Sequence, residues 1–212
     1  MFEASRVFEV RRGIRRLRRD PHWDYRRRAS ADDVGLGTRG YPFTLGSGTD
    51  RLYDLLRGQV AGRSAVLAHL LVAPAAPIRG GALHDFSLVA LDLPRALPAT
   101  AVTPRRLAAK WRGERSWPIP PGLWQRHPLP GGGPGAHVER VCADYEFGEL
   151  LITDQLKRLT VAADCGWRID GARLIGWTDG RRPYEELITL AERLDQLVAA
   201  FPAAVWQWRS WS

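Results

Sequence analysis

No stretch constrains this chain more than residues 166–180, GWRIDGARLIGWTDG. Two short apolar runs flank Asp170-Gly171, a pair that suits a two-residue type I′ turn, whose central positions both need positive φ. In that register Ile169 faces Ala172, Trp167 faces Leu174 and Arg168 faces Arg173. The first two pairs make one apolar face. The third sets like charges across from each other, which destabilises a sheet unless a carboxylate intervenes. Asp164, Asp170 and Asp179 are the carboxylates expected to do so. The apolar face needs a cover. After Pro183, residues Leu187, Leu190, Ala191, Leu194, Leu197 and Val198 give a wide helical stripe that Pro202 ends, and Trp167 and Leu174 are expected to pack under it.

The remaining pattern is strand-rich. HWDYR reads as a strand with Trp23 and Tyr25 on one face. YDLLRGQV and RSAVLAHLLV flank Ala61-Gly62, and DFSLVALDLP continues a meander. Leu52, Leu55 and Leu56 have helical spacing, so the first of these also admits a helix. Thr103-Pro104 suits the start of a short helix through Trp111. AHVERVCADY alternates as a strand, and EFGELLITDQLKRLTVAA reads as a single helix. The fold class is therefore α+β: a mainly antiparallel sheet, a meander plus a C-terminal hairpin, with two or three helices packed to one side. A basic N-terminal helix or arm precedes it. The expected divisions are an arginine-rich amphipathic arm at 1–20, a strand-rich half at 21–111, a Pro/Gly-rich loop at 112–136, a strand-helix-hairpin-helix half at 137–205 and a Trp-rich tail at 206–212.

Charge is unevenly placed. The chain carries a net +8, of which +6 falls in residues 1–28, where ten arginines meet Glu3, Glu9, Asp20 and Asp24. The arm's apolar stripe, Val7, Val10, Ile14 and Leu17, is flanked by Arg11, Arg12, Arg15, Arg16, Arg18 and Arg19. That combination suits an anionic membrane surface or an acidic protein groove. Its few aromatics make base stacking on nucleic acid the weaker alternative. At the other end Trp208, Arg209 and Trp211 form a second docking candidate, since Trp is enriched at membrane interfaces and in binding hot spots. Fold and ends are expected to be separable. Around Trp117 and Trp124, Pro118, Pro120 and Pro121 favour polyproline II, which suits a stiff linker or, as the alternative, a segment that docks on a partner.

Chemistry is hard to find. Cys142 and Cys165 make no disulfide framework, and no run of about 18 apolar residues spans a membrane. The expected location is cytoplasmic, peripheral to the inner face of the cell membrane. His22, His69, His84, His127 and His137 offer no helical metal pair, and His137, Glu139 and Cys142 do not share one strand face. Glu185 and Glu186 suit a helix N-terminus. No nucleophile elbow or phosphate loop is present. Catalytic residues, metals and cofactors are accordingly expected to be none.

Five segments, HWDY, GYPF, LLRGQVAGR, ALDLPRALP and GWRIDGARLIGW, together resemble a family of uncharacterised actinobacterial proteins over roughly residues 20–205. Many of that family look tethered to the membrane by N-terminal hydrophobic segments, where this chain has its arginine arm. The resemblance implies no established activity and no catalytic residues. The functional expectation is a non-enzymatic binding or accessory subunit of a membrane-associated assembly, with a protein partner or an anionic membrane surface. Nucleic-acid association through the arm, and an enzyme with a dispersed site, are the alternatives.

Overall fold

A computed structural model describes residues 13–30, 51–72, 84–107, 125–126 and 138–209. The strands are β1 (Asp24–Ala29), β2 (Arg51–Val60), β3 (Arg63–Val72), β4 (His84–Asp92), β5 (Thr100–Pro104), β6 (Gln125–Arg126), β7 (Val138–Cys142), β8 (Gly166–Asp170) and β9 (Arg173–Asp179). The helices are α1 (Tyr145–Leu151), α2 (Asp154–Ala163) and α3 (Tyr184–Ala199). Residues 13–17 are also helical, and a 3-10 turn spans Ala203–Gln207. The protein is α+β. Its strands form one sheet in the order β1-β2-β3-β4-β9-β8-β5-β7-β6, and every described pairing is antiparallel. Strands of the two expected halves therefore share a single sheet.

The β8–β9 pair sits between β4 and β5, so strands formed late in the chain supply the middle of the sheet. A central position buries both faces. Trp167, Ile169 and Leu174 face the helices, while Ile175 and Trp177 face the opposite side. The register differs from the sequence expectation. Trp167 pairs with Gly176, Ile169 with Leu174 and Asp170 with Arg173. The loop is Gly171-Ala172, and of these two only Gly171 has positive φ, 58°, as a turn with glycine at its first central position requires.

The reason for this register lies in the two Gly-Trp dipeptides. Gly166 pairs with Trp177 and Trp167 with Gly176, so each indole lies across from a glycine. A Cβ on Gly166 would stand 2.4 Å from the Trp177 ring. The slip of two positions leaves each side chain on its expected face, because strand side chains alternate with period two. Arg168 and Arg173 are thus no longer opposite. Arg168 pairs with Asp170 at 2.9 Å, and Arg173 pairs with Asp92 at 3.1 Å, a carboxylate outside the three expected.

The leucine spacing in β2 also has a structural cause. Tyr53 pairs with His69 and Leu56 with Leu67, so Asp54 and Leu55 together oppose Ala68. This is a β-bulge, and Asp54 takes its left-handed position at φ 52°. The extra residue puts Leu52 and Leu55 on one face and Leu56 on the other. The helical alternative for this segment is excluded.

Two further expectations change. EFGELLITDQLKRLTVAA forms two helices, because Thr153 interrupts it as a cap: its side chain accepts from the Leu156 N–H at 3.2 Å. Thr103 and Pro104 end β5, with helical backbone at 105–107; residues 108–111 lie outside the described residues. So do residues 1–12, 31–50 and most of 112–137, and with them the proposed linker.

The β2–β3 turn, Ala61-Gly62, has both residues at positive φ, 51° and 79°. A Cβ in this region costs about 1 kcal/mol, and Asn tolerates it better than Ala. Ala61→Asn is expected to raise stability by about 0.5–1 kcal/mol in urea unfolding; a loss would show that the turn does not hold this backbone in solution.

Candidate functional site

The densest polar cluster lies on the helix side of the sheet, where α3 begins. His69 and Ser87 are cross-strand partners on β3 and β4. Tyr184, the first residue of α3, donates its hydroxyl to the backbone carbonyl of Asp54 and lies 3.3 Å from His69 Nδ1. Tyr25 donates to the Asp54 carboxylate at 2.7 Å. His69 Nε2 is 2.9 Å from the Arg182 carbonyl, which only accepts, so Nε2 carries the proton. The Ser87 hydroxyl donates to the Gly180 carbonyl at 2.9 Å and accepts from the Arg182 N–H at 2.8 Å.

The cluster acts as a lock. His69 and Ser87 are both fully buried. Burial pushes His69 down to about 4, overriding the opposing hydrogen bond to Arg182, so the ring is neutral at ordinary pH. Burial first, then the Asp54 hydrogen bond, pushes Tyr25 up to about 12. Tyr184 is driven up mainly by desolvation. The Ser87 hydroxyl is held by backbone groups on both its donor and acceptor sides, and the His69 ring bonds to other partners. The network fastens the start of α3 to the bulge of β2 and to the end of β9.

The thiols are equally inert. Cys165 is fully buried and raised to about 12 by desolvation; burial also raises Cys142, which lies 2.9 Å from the Thr100 hydroxyl. No group of three His, Cys, Asp or Glu that would hold a metal ion exists among the described residues. A cleft of ≈ 360 Å³ between the end of α2 and the outer side of α3 holds Asp164, Glu185 and Glu186. Each already has a cation: Arg106 for Asp164, Arg16 at 3.1 Å for Glu185 and Arg182 at 3.6 Å for Glu186. These carboxylates are ion-pair partners, with no free acid and base among them.

The remaining candidate is the arginine surface of residues 13–30. Ile14 and Leu17 are buried in the main core, so they are not on a docking face, and the amphipathic reading is corrected at these two positions. Arg15, Arg16, Arg18 and Arg19 remain exposed. The Arg18 guanidinium lies 4.5 Å from the centre of the Tyr25 ring, which ties this segment to β1. On β1, Arg26, Arg27 and Arg28 are exposed in succession. Val7, Val10, Arg11, Arg12 and Trp211 lie outside the described residues.

At the other end Trp208 is half-buried, meeting Phe147 edge-on at 5.6 Å, and Trp206 stacks on Phe201 at 5.6 Å. Arg209 is exposed. The ends are therefore not separable from the fold: Ile14, Leu17, Trp206 and Trp208 all pack on the core. Sequence reasoning missed Arg26–Arg28 as surface residues. The available signal was three charges in a row beside a strand, a pattern typical of sheet edges.

No known protein family matches the sequence, and no curated protein does. In three dimensions the chain is similar to the crystal structure of the mycobacterial trehalose monomycolate transport factor A, TtfA. The TM-score is 0.62 at 8% identity, over 91% of this chain and 96% of that one. At that identity the likeness is one of fold.

Proposed function

We propose that this protein is a non-enzymatic accessory subunit that docks onto an anionic partner in a membrane-associated assembly, through its arginine surface and its tryptophan-bearing C-terminus. The observation that carries the reading is the concentration of charge on residues 13–30. Seven arginines meet only Asp20 and Asp24 there, a net +5. Asp20 bonds His22 at 2.8 Å, and Asp24 lies 3.7 Å from Arg26. Arg15, Arg19, Arg27 and Arg28 have no carboxylate partner among the described residues. Such crowding disfavours the free state and is relieved by an anionic counterpart.

The inert cysteines, the neutral buried His69 and the paired cleft carboxylates support a binding role. The fold shared with a transport factor supports a place beside transport machinery. No described helix is long and apolar enough to cross a membrane.

The test replaces Arg15, Arg19, Arg27 and Arg28 by Gln in the full chain, expressed at native level. Association with the membrane fraction is expected to fall about tenfold, with the melting temperature within about 2 °C of wild type, as for surface changes. Unchanged membrane association refutes the arginine surface as the dock. A steep salt-dependent loss of bound nucleic acid, with no change at the membrane, supports the nucleic-acid alternative instead.

A further inference from the structure

We propose that the outer edge of β1 accepts an acidic, extended polypeptide segment as an additional strand of the sheet. This rests on the docking reading above and names the partner's chemistry. β1 is the terminal strand. Its inner edge pairs with β2 from Asp24↔Arg57 to Ala29↔Leu52, and no described residue pairs with its outer edge. The N–H and C=O groups along such an edge are a template for another strand.

The side chains select what lies there. Successive strand residues point to opposite faces, so Arg27 and Arg28 place guanidinium groups on both faces of the edge, beside Arg26, which is engaged with Asp24. A segment laid alongside meets these groups at cross-strand distance, where opposite charges stabilise and like charges repel. Acidic residues in an alternating segment are therefore matched. A second copy of this edge is rejected, because Arg26–Arg28 would face Arg26–Arg28. Arg15 and Arg19 are exposed on the segment that Arg18 ties to β1, and they add to the positive charge there.

A lipid surface is the poorer occupant. Insertion needs exposed apolar side chains beside the charges. Ile14 and Leu17 are buried, and the exposed large hydrophobics among the described residues, Tyr145 and Val161, belong to α1 and α2. Bilayer lipids offer phosphates to the arginines and no strand to the edge. A polypeptide offers both carboxylates and backbone partners.

The experiment uses the full chain and the peptide acetyl-ETEVETE-amide. Its comparators are the same peptide N-methylated at alternate residues, and vesicles of phosphatidylcholine with phosphatidylglycerol. Saturable binding of the unmodified peptide is expected, with N-methylation weakening it at least about tenfold. Amide hydrogen exchange of β1 should slow at least about tenfold in the bound state. Arg27→Gln with Arg28→Gln should weaken the peptide about tenfold at unchanged melting temperature. Equal binding of the N-methylated peptide overturns strand addition, as does binding without β1 protection. Vesicle binding with no peptide binding overturns the polypeptide assignment in favour of lipid. Failure of these arms while the four-arginine variant still leaves the membrane fraction removes this inference and leaves the docking reading standing.

Discussion

Trp167→Ala is expected to cost about 3–5 kcal/mol in urea unfolding, the range of large-to-small changes in a packed core. Trp167 is 0% exposed on a strand with neighbours on both sides. Its indole N–H donates to Thr160 Oγ1 at 2.9 Å, and that hydroxyl in turn donates to the Leu156 carbonyl at 2.8 Å. The ring centre lies 6.2 Å from that of Phe201. The indole thus joins β8, α2 and the segment after α3. Removing it leaves a cavity that three elements must close at once. Trp167→Phe keeps an aromatic ring and loses the hydrogen bond, so about 1–2 kcal/mol is expected for it. A cost below about 1 kcal/mol for the alanine variant would show that the hairpin face is not core.

Acidification through His69 is expected to have the next largest effect. Its folded value of about 4 lies below the ordinary 6.5, because burial penalises the charged ring. On acidification the unfolded chain therefore takes up the proton first. The stability linked to this group is complete above pH 6.5 and is lost as pH falls toward 4. The difference corresponds to about 3 kcal/mol. The groups facing the ring are the Tyr184 hydroxyl, the Arg182 carbonyl and the charges of Arg181, Asp54 and Asp85. His69→Gln keeps a donor for the Arg182 carbonyl and does not titrate in this range. Subtracting its pH–stability curve from that of the wild type isolates the histidine. The difference should slope between pH 4 and 6.5, and a flat difference would mean that His69 is not held neutral.

Much of the architecture was legible because side-chain direction follows local backbone period. The stripe Leu187, Leu190, Leu194 and Leu197 marked the buried face of α3, and the alternation around Trp167 and Leu174 marked the face beneath it. The bulge was present in the sequence as the 3-then-1 spacing of Leu52, Leu55 and Leu56, a pattern shared with a helix. Only pairing with β3 distinguishes the two. Of the candidate site, the charge was visible and its setting was not. The spacing of Ile14 and Leu17 announced a one-sided helix without saying what the apolar side meets.

The sequence by itself determined which residues are apolar, where the chain reverses to within a residue, and that the basic charge collects before residue 29, since these depend on neighbours along the chain. The tertiary structure alone decided that β8 and β9 fill the gap between β4 and β5, that Trp167 lies across from Gly176, and that Ile14 and Leu17 turn inward while β1 is left at the edge with its arginines outward. These outcomes depend on segments far apart along the chain, as in the Arg16–Glu185 pair with its separation of 169. Hydrophobic burial is non-directional. It tells a residue to leave water, and only the packing of distant elements says which partner it leaves water to meet.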